Sequence, residues 1–517
     1  MLALAAWMGM AAHGGVVSQQ WSNGKLTLQL DDGSAELEWI SSVAFRFTRS
    51  WGERADTQPA ITHERVTPEM SEANGVFTLR SRYLRVELDR ADLNLHLKNG
   101  ETPVASAGLE KTAEGVKLRL GLGPNEKVFG LMGGESGRLN LRGERLERQR
   151  GFMFTSAGYG IFVRAPERCV FDLASGTIEA PGARSIDYVF YYGPTPKEIF
   201  EQHQIVTGPT ELKEEVLNLP SGGLPREATP LPKAPIDTWD ALGSLVNRLN
   251  QWSLSAVLYP AFDRASFDRA PAEVRQRATD LGTLLPIVST PGAGRDAWKP
   301  YLITYLREAH DRGYPLIRPL VMEFSRDPNA DRQSDVFMLG DELLLAPVLG
   351  PGERRRLELP MGIWTDLRTN IEYGGRQTVV VDAPPGRVPM FIRNGSLVPL
   401  AVPLASPARM ELHYFPSLAA EFFLWEPGNQ ENSQFHAAPA GDLIRVEVET
   451  QVLRTYEWVI HHTKAAREVA EASSVYQRVM DRAMLKPGTW WHDAVQNDLH
   501  VMLRAETGSD RIVNISF

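Results

Sequence analysis

TWDALGSLVNRLNQWSLSAVLYPAFDRASF, residues 238–267, holds two periodicities in succession. From Trp239 to Trp252 the apolar residues recur at helical spacing, as in an amphipathic helix. Ala256 to Tyr259 is then a short unbroken apolar run that leads to Asp263, as in a buried strand that delivers a carboxylate to its end. An ordinary strand with a polar end has the same text, so both readings stand at this point. Helix and strand patterns go on alternating downstream. PAEVRQRATDLGTLL (271–285) is a second helix, AWKPYLITYLREAHDRG (297–313) a third with Gly313 as its stop, and YPLIRPLVMEF (314–324) another apolar strand. The middle of the chain is therefore α/β in type.

On either side the signal is β. KLTLQLDDGSAELEW (25–39), YLRVELDRADLNLHLKNG (83–100) and GVKLRLGLG (115–123) alternate apolar and polar residues between Asp-Gly, Asn-Gly and Gly turns. Many short strands at that spacing predict a β-sandwich over residues 16–208. It closes with the helix of TPKEIFEQHQIVTG, where Ile199, His203 and Val206 share a stripe and Gly208 ends the element. Residues 209–236 are rich in proline and charge and read as a linker or crossing loop. Strand signal returns from Gly340, and 407–517 reads as a second, C-terminal sandwich.

Composition narrows the function. The 517 residues are 43% hydrophobic and 23% charged, ordinary for a globular chain of three or four domains. The formal net charge of −9 argues against a nucleic-acid or anionic-membrane partner. Arg354-Arg355-Arg356 is the one basic run, and it reads as a solvated strand edge. The single cysteine, Cys169, rules out an internal disulfide and a cysteine metal cluster, and the eleven histidines show no HExxH or HxH spacing. His461 and His462 are adjacent in a strand-like segment and should face opposite ways. No metal site, cofactor or nucleotide motif is predicted. Residues 1–15 begin with an apolar run that fits the h-region of a signal peptide, which would mean export to the periplasm or outside the cell. A buried N-terminal segment in a cytoplasmic protein is the alternative. No run reaches the ~18 apolar residues of a membrane span.

The order of motifs resembles glycoside hydrolase family 31, the α-glucosidase and α-xylosidase family. VFGLMGGESGRLNLRGER (128–145) is similar to its Tyr-Gly-Leu-Gly-Glu turn and Leu-Asn-Leu-Arg-Gly strand, and FMFTSAGYGIFVRAPERCVFDL (152–173) to its GYG segment. The long stretch 315–367 resembles the last barrel strand and the start of the proximal β domain, and APPGRVPMFIRNGSLVPL (383–400) continues that match. FFLWEPGN (422–429) stands where the family has an acidic Tyr-Glu-Asp-Asp-Gly. The resemblance implies a multidomain, β-rich α+β fold. It divides into an N-terminal β-sandwich (16–208), a (β/α) barrel region (209–337), a proximal C-terminal β domain (338–403) and a distal C-terminal β-sandwich (404–517).

The resemblance also implies retaining glycoside hydrolysis, in which a carboxylate nucleophile and an acid/base carboxyl lie about 5–5.5 Å apart. Asp263 and Phe267 match the family's Asp-Ile-Gly-Gly-Phe motif and are the implied substrate-binding positions, with Arg264, Ala265 and Ser266 replacing Ile-Gly-Gly. The acid/base lies five residues before the tryptophan matched by Trp239, which makes it Ala234; Asp237 is near but out of register. No Asp-x-Asn-Glu-like segment supplies the nucleophile, and Ser289 and Pro291 stand at the substrate-contacting arginine and histidine. The 129 residues from Pro209 to Phe337 fall short of the ~200 that an eight-stranded barrel needs. A shortened barrel remnant is expected, its open edge covered by a loop or a protein partner.

Three functions follow as expectations. One is a degenerate homologue that has lost hydrolysis and keeps weak binding of α-glucan or xylo-oligosaccharide. Another is an α-glycosidase that has repurposed Asp263 with Asp237 or Glu323. The third is a structural or interaction protein. Trp490-Trp491 is a further candidate sugar platform, with a core-plus-edge pair as the plainer reading.

Overall fold

The computed structural model describes residues 15–52, 64–134, 136–149, 151–164, 168–209, 229–230, 237–262, 264–285, 287–288, 295–405, 408–429 and 431–517. The expected signal peptide and most of the linker lie outside them. The chain forms two compact units. One runs to Pro209 and takes in the short segments Leu254–Ala256 and Arg312–Tyr314; the other comprises the remaining residues.

In the first unit an eight-stranded and a nine-stranded antiparallel sheet contribute to one apolar core. Lys25–Leu30 shows how sequence builds it: Leu26, Leu28 and Leu30 are buried while the intervening residues face outward. Its hairpin with Val16–Ser22 turns on Asn23 (φ 51°) and Gly24 (φ 77°), the doubly left-handed turn that Asn-Gly favours. Pro196–Thr207 is the helix expected from the sequence. Thr195 and Glu198 form a capping box, Pro196 occupies the first turn, and Gly208 (φ 78°) ends it. Ile199, Phe200 and His203 form its buried face, with Val206 only half-buried.

In the second unit the helices Trp239–Ser253, Ala272–Gly282 and Arg295–Arg312 pack around short strands. Thr229–Pro230, Pro260–Phe262 and Ile287–Val288 form a three-stranded parallel sheet. Beyond it lie a six-stranded sheet that begins at Ile317–Arg318, a two-stranded ribbon, and a sandwich of two six-stranded sheets from Leu397 onward. Arg354–Glu358 belongs to the ribbon, so the basic run does sit on an edge; Arg355 reaches Asp335 at 2.6 Å.

Two local expectations are corrected. The apolar run Ala256–Tyr259 is not the strand. Ala256 has a left-handed backbone (φ 60°), the Val257 amide donates to the Trp252 carbonyl (3.1 Å), and pairing starts only at Pro260. The strand expected over 314–324 shrinks to Ile317–Arg318, because Pro319 has no amide to donate to the ladder and instead starts the one-turn helix Leu320–Glu323. Among the described residues no helix is long and apolar enough to cross a membrane.

Candidate active site

The strands of the parallel sheet are the sequence neighbours of the positions singled out above. Thr229 pairs with Pro260 and Pro230 with Ala261, while Ala261 pairs with Ile287 and Phe262 with Val288. All three strands thus end on the same side. In sequence, Ala234 comes four positions after Pro230, Asp263 directly after Phe262, and Ser289 directly after Val288. Chemistry in (β/α) barrels is placed at this C-terminal end. Ala234, Asp263, Ser289 and Pro291 themselves lie outside the described residues.

Asp237 is exposed, two residues before the helix Trp239–Ser253. Thr238 opens that helix, its Oγ1 accepting from the Ala241 amide (3.1 Å), and Trp239 packs half-buried against the core. Phe267 ends the 3₁₀ turn that follows the second strand. It is 1% exposed, with its ring enclosed by the core cluster.

Glu323 belongs to an ionic network around Arg318, which is fully buried. The guanidinium donates to the Pro315 carbonyl (2.9 Å), to Glu323 (3.2 Å), and to Asp341 and Glu308. Burial works to lower its pKa, but Asp341, Glu308 and Glu323 outweigh that effect and hold the charge in place. Beside it, Tyr305 Oη donates to Glu342 Oε2 (2.7 Å). Tyr301 Oη lies 2.8 Å from the same oxygen and donates to the Leu339 carbonyl (2.6 Å). Desolvation, followed by the charge of Asp341, pushes the Glu342 carboxyl up to about 7, while the two tyrosine hydroxyls oppose the shift.

A carboxyl kept protonated near neutrality has the protonation state of a general acid. Glu342 is nevertheless buried beneath two tyrosines, and Glu323 is engaged by Arg318. Glu323 thus ties the strand Ile317–Arg318 to the turn of helix that follows it, and Glu342 anchors the helix Arg295–Arg312 through its two tyrosines. Sequence reading named Glu323 but missed this network, whose signal was a lone arginine inside the apolar PLIRPLV and the acidic pair in MLGDELLLA. In the distal sandwich Trp490 is buried, while Trp491 is half-buried against His500 (5.0 Å).

Comparison with known proteins agrees with this architecture. Residues 313–398 match the Glycosyl hydrolase family 31 C-terminal domain. Alpha-glucosidase 2 of Bacillus thermoamyloliquefaciens is 36% identical over 107 residues, 20% of this chain and 14% of that protein. The isomaltosyltransferase of Sporosarcina globispora is 26% identical over 200 residues, 32% of this chain and 18% of that protein. The chain thus aligns with less than a fifth of the length of these curated relatives. Among solved structures, a Flavobacterium johnsoniae GH31 dextranase complexed with isomaltotriose shares the fold. Its TM-score is 0.83 at 15% identity, covering 98% of this chain and 100% of that one. The matched segment, the curated α-glucosidases and the shared fold make this chain a relative of glycoside hydrolase family 31.

Proposed function

We propose that the chain is an α-glucosidase-like protein of carbohydrate metabolism that has lost hydrolysis and keeps weak glycan binding. The proposed site is centred on Asp263, the residue that follows the strand Pro260–Phe262 in sequence. The observation that carries this reading is Ala234 in the acid/base register, since an alanine cannot protonate a leaving oxygen. The missing Asp-x-Asn-Glu-like segment and the short span from 209 to 337, read as a barrel remnant, support it. The relative solved with isomaltotriose and an α-xylosidase from a soil metagenome solved with xylose (TM-score 0.61, 16% identity, covering 73% of this chain and 98% of that one) suggest α-glucan or xylo-oligosaccharide as ligand. A protein partner covering the open barrel remnant belongs to the same proposal. So does export, which N-terminal sequencing from the native host tests by a start at residue 13 or later.

A polar site without a closed pocket binds in the millimolar to high-micromolar range, about −4 to −6 kcal/mol. Calorimetric titration with malto-, isomalto- and xylo-oligosaccharides should detect such binding, and Asp263→Ala should weaken it. No heat at tens of millimolar, or an unchanged response in the variant, contradicts the reading.

A second reading, an active glycosidase with repurposed carboxylates, draws on the exposed Asp237, which lies three residues beyond Ala234 and pairs with Asp263 in that scheme. Intact-mass analysis after incubation with an activated fluoro-glycoside tests it. One added glycosyl group on either aspartate would establish it.

A further inference from the structure

Three turns of the C-terminal unit frame a solvent-open cleft of about 450 Å³. They are the turn after Ile363–Asp366, the segment after Arg454–Ile460, and the hairpin turn before Asp498–Ala505. The volume lies within the ~300–1,000 Å³ of small-molecule sites. Each turn contributes one non-glycine residue with left-handed backbone: Asn370 (φ 57°), His462 (φ 55°) and Asn497 (φ 57°). Asn and His are among the non-glycine residues that take this conformation most readily in turns.

The polar groups are held in place. His462 Nε2 donates to Asn370 Oδ1 (2.8 Å), and its Nδ1 lies 3.0 Å from Glu372 Oε1. Asn370 Nδ2 in turn donates to the Gln496 carbonyl (3.0 Å). Thr369 Oγ1, which also lines the cleft, has no hydrogen-bond partner among the described residues although it is buried.

Charge and shape select the ligand. Glu372 and Lys464 put one charge of each sign at the cleft, so it favours neither an anion nor a cation. No group of three or more His, Cys, Asp or Glu able to hold a metal occurs among the described residues. Glu372 keeps its second carboxylate oxygen for adjacent hydroxyls, since His462 Nδ1 and Asn394 Nδ2 both meet Oε1, and Val495, 85% exposed at the edge, offers an apolar surface for the C–H face of a pyranose.

We infer that this cleft binds a neutral saccharide through Glu372 and Val495, with His462 as the neighbour that holds the Glu372 carboxylate in place. The inference shares with the proposed function only its class of ligand.

The test uses the full chain with ¹³Cε1-labelled histidine, the His462 signal being assigned by its loss in His462→Gln. Isomaltotriose and maltotriose, titrated to tens of millimolar, should move that signal saturably. Asp263→Ala should leave the curve unchanged, whereas Glu372→Gln and Val495→Asp should weaken it about tenfold or more. Both substituted side chains are largely exposed, and an unchanged melting temperature confirms that the variants fold. A His462 signal that stays still under sugar overturns the inference, even where a response sensitive to Asp263 upholds the proposed function. A signal that moves equally with inorganic phosphate, or undiminished in both cleft variants, overturns it as well.

Discussion

Glu342 is a carboxyl whose protonation is tied to folding. Its pKa is pushed up to about 7 in the folded protein by desolvation and the neighbouring Asp341, against an ordinary value near 4.5. The folded state therefore keeps a proton that the unfolded state releases. Its contribution is complete below the ordinary carboxylate range and is lost as pH rises from about 4.5 through 7. Glu342→Gln should remove this dependence and gain up to about 3 kcal/mol over the parent protein at pH 8, with little gain at pH 5. Urea unfolding at the two pH values measures the difference, and equal pH slopes in the two proteins would count against it. Arg318→Met tests the same network from its centre. Removing the Arg318 charge leaves Glu308, Glu323 and Asp341 without that partner, and should cost about 3–5 kcal/mol. A loss below ~1 kcal/mol in denaturant unfolding would show the network to be merely a surface one.

The helix Pro196–Thr207 gives the opposite pH sign. His203 stacks on Phe152 (centroids 4.1 Å apart) and meets Tyr191 Oη at 3.1 Å, and desolvation pushes its pKa down to about 3. A depressed histidine contributes stability above its ordinary pKa near 6.5 and loses it as pH falls towards 3. His203→Leu should therefore flatten the acid-side loss of stability in the N-terminal unit, read as the melting temperature between pH 7 and 4.5. An unchanged acid slope would place the titrating group elsewhere. This helix was legible in the sequence because its punctuation is local: Thr195-Pro196 opens it, Glu198 completes the cap and Gly208 stops it. Asn23-Gly24, which turns the first hairpin, carries a local signal of the same kind. The strand expected over 314–324 was misread because apolar runs do not separate strand from helix, and Pro319 decides between them only once the ladder partner at Phe337–Leu339 is known. The Arg318 network is likewise non-local, since Glu308, Glu323 and Asp341 come from three separate elements.

For the whole molecule, alternation and turn chemistry gave the β-rich, multidomain class, because two sandwiches repeat the same local signal many times. The site was legible only as motif positions. Asp263 and Phe267 could be aligned, yet the parallel register of Thr229–Pro230, Pro260–Phe262 and Ile287–Val288 arises from pairing between distant segments. The cleft around Asn370, His462 and Asn497 was not foreseen at all, because three turns far apart in sequence build it. The proposal that this family-31-like chain lacks hydrolysis is tested most directly by release of p-nitrophenol from α-glucosides and α-xylosides. These activated leaving groups need little help from an acid, so the assay gives a residual nucleophile every chance to act. The expected result is no release above the blank. Turnover in the wild-type chain that vanishes in Asp263→Ala would contradict the claim and show a carboxylate at work.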